Sequence, residues 1–386
     1  MISLRRFYGF LDHTKPSIKT LNKLSIYLGF RSYGNYLDKS SNYESWYFQQ
    51  NLSRLKLKST LDIIEIEEIN VALLNQENVI YFAYFTSYFI HIHDIKSLKI
   101  IFKYCQLSDI SGPEIHKFST ILSTTLLGLE EKNALAIYSE LLNLQNFRDH
   151  VPLLFIDYAN LTSRYGRILD LINKKSDRNS DLFFVSLLRL YLLFYTEKTI
   201  DLAKYEFQVP KGFETFYPVL IGRYYGCLIL KFERLEKKLK QQILKLCEGS
   251  KKISMLLEEI IPALIIKNEI SFLDQILTKY YEDIIESDQW SSTTTNAIFI
   301  IGLACVNIDK NNFKVATINL SLIDLKKVEL SYEIYISLFY FLTSLKISFQ
   351  KKLKAQNRLE FSEIKRLVKI SKFTKFQKEP DKFRLS

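Results

Sequence analysis

Apolar segments of helical length return along this chain at a nearly constant interval, and that periodicity restricts its folding more than any local motif. One set begins near Ile80, Phe118, Val151, Phe183, Phe216, Ile253, Ala297 and Tyr332, with spacings from 32 to 44 residues. A second set interleaves with it, beginning near Ile95, Ala134, Ile168, Leu202, Leu235, Phe272 and Phe313, at 33 to 41 residues. Two sets with the same period and a constant offset predict a stack of helical hairpins. One hairpin cannot bury its apolar face alone, so neighbours must pack into a solenoid of seven or eight hairpins. The rival reading is an irregular all-α domain whose helices average that spacing.

Composition supports helices. Hydrophobic residues make up 47% of the 386 and aromatics 14%, which excludes disorder as the main state. Eleven Gly and seven Pro are too few for a sheet-rich chain with many tight turns or for Gly-rich phosphate loops. Val79–Ile92, Asp181–Tyr195 and Tyr332–Leu345 are hydrophobic nearly all round, as suits a helix held between neighbours. Lys132–Leu144 is amphipathic instead, with Leu135, Tyr138, Leu141 and Leu142 in one stripe. Breaks are expected at Ser111-Gly112-Pro113, Arg164-Tyr165-Gly166, Val209-Pro210-Lys211-Gly212, Gly249-Ser250 and Asp309-Lys310-Asn311-Asn312.

The net charge of +11 is unevenly placed. Residues 1–40 hold seven Lys and Arg against two Asp, and residues 346–386 hold thirteen against four acids. The middle is therefore slightly acidic. A coding bias would spread lysines evenly, so the concentration at both ends is local, and a basic end attracts polyanions. In the C-terminal part, Lys351–Lys354, Lys365, Arg366 and Lys369 precede Lys372-Phe373-Thr374-Lys375-Phe376-Gln377-Lys378. One reading is a final amphipathic helix, Glu360–Ile370, followed by a solvated tail. The other has Lys372 and Lys375 neutralising phosphates while the Phe rings stack bases, as in single-strand binders.

At the N-terminus Ile18, Leu21, Leu24 and Leu28 fall on one helical face, with Ser17 placed to cap after Pro16 and Gly29 placed to end the helix. Before it, Ser3–Phe10 is a short basic-aromatic stretch. The order Ser3-Leu4-Arg5-Arg6-Phe7-Tyr8-Gly9, Pro16-Ser17-Ile18-Lys19-Thr20-Leu21, Leu28-Gly29-Phe30 and Ser32–Leu37 resembles the second half of a lambda-repressor/Cro-type helix-turn-helix. The resemblance covers residues 3–38, about a tenth of the chain. It implies a recognition helix in the major groove, with Arg5 and Arg6 on base edges or phosphates and Lys15, Lys19 and Lys23 toward phosphates. That family's first two helices should precede Ser3, where this sequence begins, so the element reads either as a DNA contact or as a basic cap on the solenoid. In the array, Asn133–Leu142 (Asn-Ala-Leu-Ala-Ile-Tyr-Ser-Glu-Leu-Leu) and the period resemble tetratricopeptide repeats, although Ala is scarce and the repeat-end proline is absent.

The remaining polar residues give no chemical motif. Cys105, Cys227, Cys247 and Cys305 sit in apolar contexts without ligand spacing and read as buried reduced thiols. His91-Ile92-His93-Asp94 places two histidines at i,i+2, on different helix faces, and reads as a helix end. Asp62, Glu65, Glu67 and Glu68 read as a solvated face. No nucleophile–base order, Walker-type loop or carboxylate pair stands out. A polar, partly buried cluster with perturbed ionisation would favour an enzyme. No segment has the about 20 apolar residues that span a bilayer, and no signal peptide is evident.

Three regions follow: a partial helix-turn-helix over 1–42, a helical-hairpin array over 43–348 and a basic C-terminal helix and tail over 349–386. The chain is expected to be an all-α, non-enzymatic cytoplasmic regulator without cofactor, metal, membrane or small-molecule substrate. It would bind another protein in the repeat groove, with DNA contact through its N-terminus. The alternative is a protein-interaction scaffold that touches no nucleic acid.

Overall fold

Three of the first five described helices begin at a side-chain oxygen that accepts from the first turn. In a computed structural model, which describes residues 17–29, 32, 33, 36, 43–58, 60–110, 112–197, 202–250, 252–286 and 293–382, every regular element among these is helical. Ser17 accepts from the Thr20 N–H at the start of α1 (Ile18–Tyr27), which Gly29 closes at φ 88°. After α2 (Tyr43–Leu55), Asp62 and Glu65 form a reciprocal capping box at the start of α3 (Ile63–Leu73). Glu65 also pairs with Lys58 and is buried, so only Asp62, Glu67 and Glu68 of the acidic run face solvent. His91 ends α4 (Asn78–His91), His93 turns the chain at φ 56°, and Asp94 caps α5 (Ile95–Tyr104). The histidine pair thus belongs to a helix-to-helix turn. In α1 the expected apolar face is incomplete, because Ile18 and Leu28 are exposed.

The middle runs through α6 (Gly112–Gly128), α7 (Glu131–Leu141), α8 (Gln145–His150), α9 (Arg164–Lys175) and α10 (Asn179–Tyr195). Here the period breaks once. The apolar run from Val151 is not an α-helix; Pro152 lies within it, Val151–Asp157 is irregular and Tyr158 opens a 3-10 turn, yet all eight positions are buried. Buried irregular backbone must find partners for the groups that no regular element pairs; here Phe155 N–H bonds the Val151 carbonyl within the segment, and side chains from elsewhere take further carbonyls. Tyr165 Oη donates to the carbonyls of Pro152 (2.5 Å) and Phe155 (3.3 Å). Arg223 Nη1 reaches the Leu153 carbonyl at 3.2 Å, and Ser119 Oγ the Val151 carbonyl at 3.4 Å. Arg164-Tyr165-Gly166, expected as a break, opens α9 instead.

The second half comprises α11 (Pro218–Lys231), α12 (Lys237–Gly249), α13 (Ile253–Ile266), α14 (Ile270–Lys279), α15 (Tyr281–Glu286), α16 (Thr293–Asp309), α17 (Phe313–Ser321), α18 (Leu330–Gln350), α19 (Lys354–Ser371) and α20 (Lys375–Lys382). The segment at Leu202 forms a single 3-10 turn, Leu202–Lys204, rather than a second hairpin helix. Many helices meet the next but one as well as the next: α2 with α4, α4 with α6, α3 with α5, α5 with α7, α11 with α13 and α16 with α18. No helix among the described residues is long and apolar enough to cross a membrane. All four cysteines are free and buried.

Contacts also cross the molecule. Tyr158 stacks on Tyr335 at 4.2 Å between centroids and 8° between planes, and Tyr195 Oη meets Tyr335 Oη at 2.9 Å. Phe373 and Phe376 are fully buried and stack on Tyr195 at 5.1 and 5.5 Å. Thr162 donates to the Ser371 carbonyl at 2.9 Å. The segment after Ile370, expected as a solvated tail, therefore closes the core. The central segment, α10, α18 and α20 share one aromatic cluster.

Candidate functional site

Three places gather polar side chains. The first is a sealed centre. Arg223 of α11 is wholly buried, and its Nε and Nη2 each reach Glu259 Oε1 of α13 at 3.2 Å. Glu259 also accepts from Tyr158 Oη (2.5 Å) and Tyr332 Oη (3.3 Å). A buried ion pair repays its desolvation only when the remaining lone pairs are satisfied, and these two tyrosines do that. Neighbouring groups feel the low dielectric. Burial, then the Arg223 charge, pushes His116 down to about 3. Burial, then Glu329 and Glu259, pushes Glu258 up to about 8, with Thr295 donating to its carboxylate. Burial raises Asp157 to about 6 against its hydrogen bonds from Asn160. This is the cluster with perturbed ionisation that would favour an enzyme. A cavity of only 10 Å³ touches it at Asp157 and Tyr165, room for about one water. Its geometry fastens the central segment to α11, α13 and α18.

The second place is the outward face of α19. Lys354, Arg358 and Lys365 line a 490 Å³ groove with Asn357, Phe361, Ser362 and Phe349. Positions 354, 358, 361 and 365 follow one helical face. Among the described residues no carboxylate lines this groove, and Lys365 lies over the Phe361 ring at 5.1 Å. Of the two acids of α19, Glu360 points the other way, buried against Ser344, Ser348 and Gln356, and Glu363 pairs with Arg366. This face of the helix is therefore cationic, because one carboxylate is spent inward and the other on Arg366. Arg366 is engaged with Glu363 at 2.9 Å.

The third place is a 660 Å³ cleft where α11 and α13 begin and α12 ends. Phe216, Tyr217 and Tyr225 give it aromatic walls, and Lys245, Lys252 and Gln242 give it polar groups.

The residues singled out from sequence scatter over the molecule. Arg5, Arg6 and Lys15 lie outside the described residues. Lys19 and Lys23 are exposed on α1, one turn apart. Lys372 is exposed at the left-handed end of α19, φ 63°. Lys375 lies over the Phe194 ring at 5.4 Å and faces Glu379 at 3.7 Å and Glu197 at 4.0 Å. Phe373 and Phe376, the rings that would stack bases, have no exposed surface. Sequence reasoning did not single out Arg358 or Phe361, although the i, i+4, i+7, i+11 register from Lys354 carries the signal. The cleft joins Tyr217 and Lys252, far apart in the chain, and has no local signal. Comparison with family models, with curated proteins and with solved structures finds no match for the chain.

Proposed function

We propose that this chain is a non-catalytic binding protein: a tetratricopeptide-like array of helical hairpins that engages a partner protein and contacts DNA through basic helical faces. The observation that carries the DNA contact is the α19 groove, with three cations, two aromatic rings and, among the described residues, no carboxylate in its lining. Cations at helical spacing neutralise phosphates, while a ring between them can stack a base. Exposed Lys19 and Lys23 on α1 support a second basic contact in the same reading, together with Arg5, Arg6 and Lys15 of the partial helix-turn-helix. Next-but-one helix packing supports the hairpin array. Free, buried thiols support a reducing compartment such as the cytoplasm.

The test is fluorescence anisotropy with labelled duplex and single-stranded DNA over a salt series. Each phosphate neutralised contributes about −0.9 to the log–log slope on duplex. Arg358→Ala and Lys365→Ala are each expected to flatten that slope by about one. Absence of binding at about 50 mM salt, or binding that ignores salt, overturns the DNA contact.

A second reading, a scaffold for proteins alone, is favoured by one observation. Trp46, Tyr47, Ile64, Val71, Leu74 and Tyr84 on α2–α4 and the turn after α3 all stand at least half exposed. Apolar patches of this kind mark protein contacts. Failure of the DNA experiment leaves that reading in place.

A further inference from the structure

The cleft between α11, α12 and α13 holds chemistry that neither reading above uses. We infer that it binds a small planar molecule carrying one anionic oxygen group, a carboxylate or a phosphate. Its 660 Å³ lies within the range of about 300–1,000 Å³ typical of small-molecule sites. Lys245 and Lys252 line it, and among the described residues neither ammonium has an ion-pair partner. Lys252 is held over the Tyr217 ring, 5.7 Å from its centroid, which fixes its charge at the wall.

Two further features favour an anion. α11 and α13, fourteen residues each, both start on this lining, at Tyr217 and Lys252, with no side-chain cap. Their uncapped first turns add the positive ends of two helix dipoles to the two ammoniums. The Tyr217 hydroxyl, which among the described residues has no hydrogen-bond partner, lies against Gly112 at the start of α6 and so adds nothing to the cleft. Phe216, Tyr217 and Tyr225 supply flat apolar walls for a planar body. Exposed Glu214 is the one carboxylate among the described residues of the lining, set against its two ammoniums.

The site is tested by isothermal titration of the full chain with adenosine monophosphate, indole-3-acetate and inorganic phosphate. At least one of the two organic probes is expected to bind one site with Kd below about 1 mM, and tighter than inorganic phosphate. Which one binds distinguishes a phosphate from a carboxylate ligand. Lys252→Gln is expected to weaken that binding about tenfold or more, a change of about 1.4 kcal/mol. Lys245→Gln, at an exposed position, checks the same charge if Lys252→Gln disturbs the fold. Arg358→Gln with Lys365→Gln should leave the titration unchanged, which separates this cleft from the α19 groove. No saturable binding of either organic probe, or binding that both cleft variants leave intact, overturns the inference.

Discussion

At the scale of single residues, the close approach of α11 and α13 depends on two glycines one turn apart. A Cβ on Gly222 of α11 would overlap the carbonyl oxygen of Leu256 on α13, and one on Gly226 would meet the Tyr191 hydroxyl and the Glu259 carbonyl. Two effects compete for the sign of Gly222→Ala. Helix propensity favours Ala by about 1 kcal/mol. Overpacking against a backbone atom, which cannot swing away as a side chain would, costs about 1–3 kcal/mol. Destabilisation should win, and urea unfolding of the variant checks it: a midpoint at or above that of the parent chain refutes the close approach. Arg223 lies next to Gly222, and its reach to Glu259 at 3.2 Å depends on the same approach.

At the scale of elements, helix starts were the legible part. Ile95, Ile253 and Phe313 open helices at the residues where the apolar pattern begins, and Ser17, Asp62 and Asp94 cap by local hydrogen bonds. Val151 and Leu202 were misread for a physical reason. A short apolar run has the same composition whether it is a helix or an irregular buried strand of chain. What settles Val151–Tyr158 is Ser119, Tyr165 and Arg223, which no window around Val151 contains. The candidate site was legible to a similar degree. The basic character of residues 354–369 is visible in the sequence, but which cations face outward depends on Glu360 being drawn inward and on Lys375 folding onto Phe194. The packing of α20 gives a prediction. Phe376→Ala should cost about 3–5 kcal/mol, as for other large core truncations, whereas a solvated tail would lose almost nothing. Denaturant unfolding reads the difference directly.

At the scale of the whole molecule, the buried ionisable groups set a pH profile. Glu258, at about 8 in the folded chain, is above its ordinary value of 4.5, so the folded state holds a proton that the unfolded state releases. Stability from this group falls as pH rises from about 4.5 to 8. His116, at about 3, has the opposite effect: its contribution is complete above its ordinary value of 6.5 and is lost as pH falls toward 3. Asp157, raised to about 6 from 3.8, adds to the alkaline loss over its own window. Between pH 6.5 and 8 only Glu258 of these three still titrates, at up to about 1.4 kcal/mol per pH unit for one proton. The melting temperature should therefore fall from pH 6.5 to 8, and Glu258→Gln should flatten that limb. A parent chain whose melting temperature rises over the same interval contradicts the assignment.

The partners of the central segment also govern when this chain can finish folding. Tyr158 waits for Glu259, 101 residues later, and Thr162 for the carbonyl of Ser371, 209 residues later. Contacts this distant carry a large loop-closure cost and slow the search. During synthesis at about 5–20 residues per second, the helices up to α8 can pair with their neighbours as they emerge. Val151–Tyr158 can do so only in part: Ser119 and Tyr165 meet its Val151, Pro152 and Phe155 carbonyls early, but the Leu153 carbonyl and Tyr158 find their partners only when α11, α13 and α18 have followed. For roughly ten seconds or more at those rates, the nascent chain carries an apolar stretch whose lodging is incomplete. That interval, rather than any weakness of the finished core, is when the protein is most open to aggregation and to capture by chaperones.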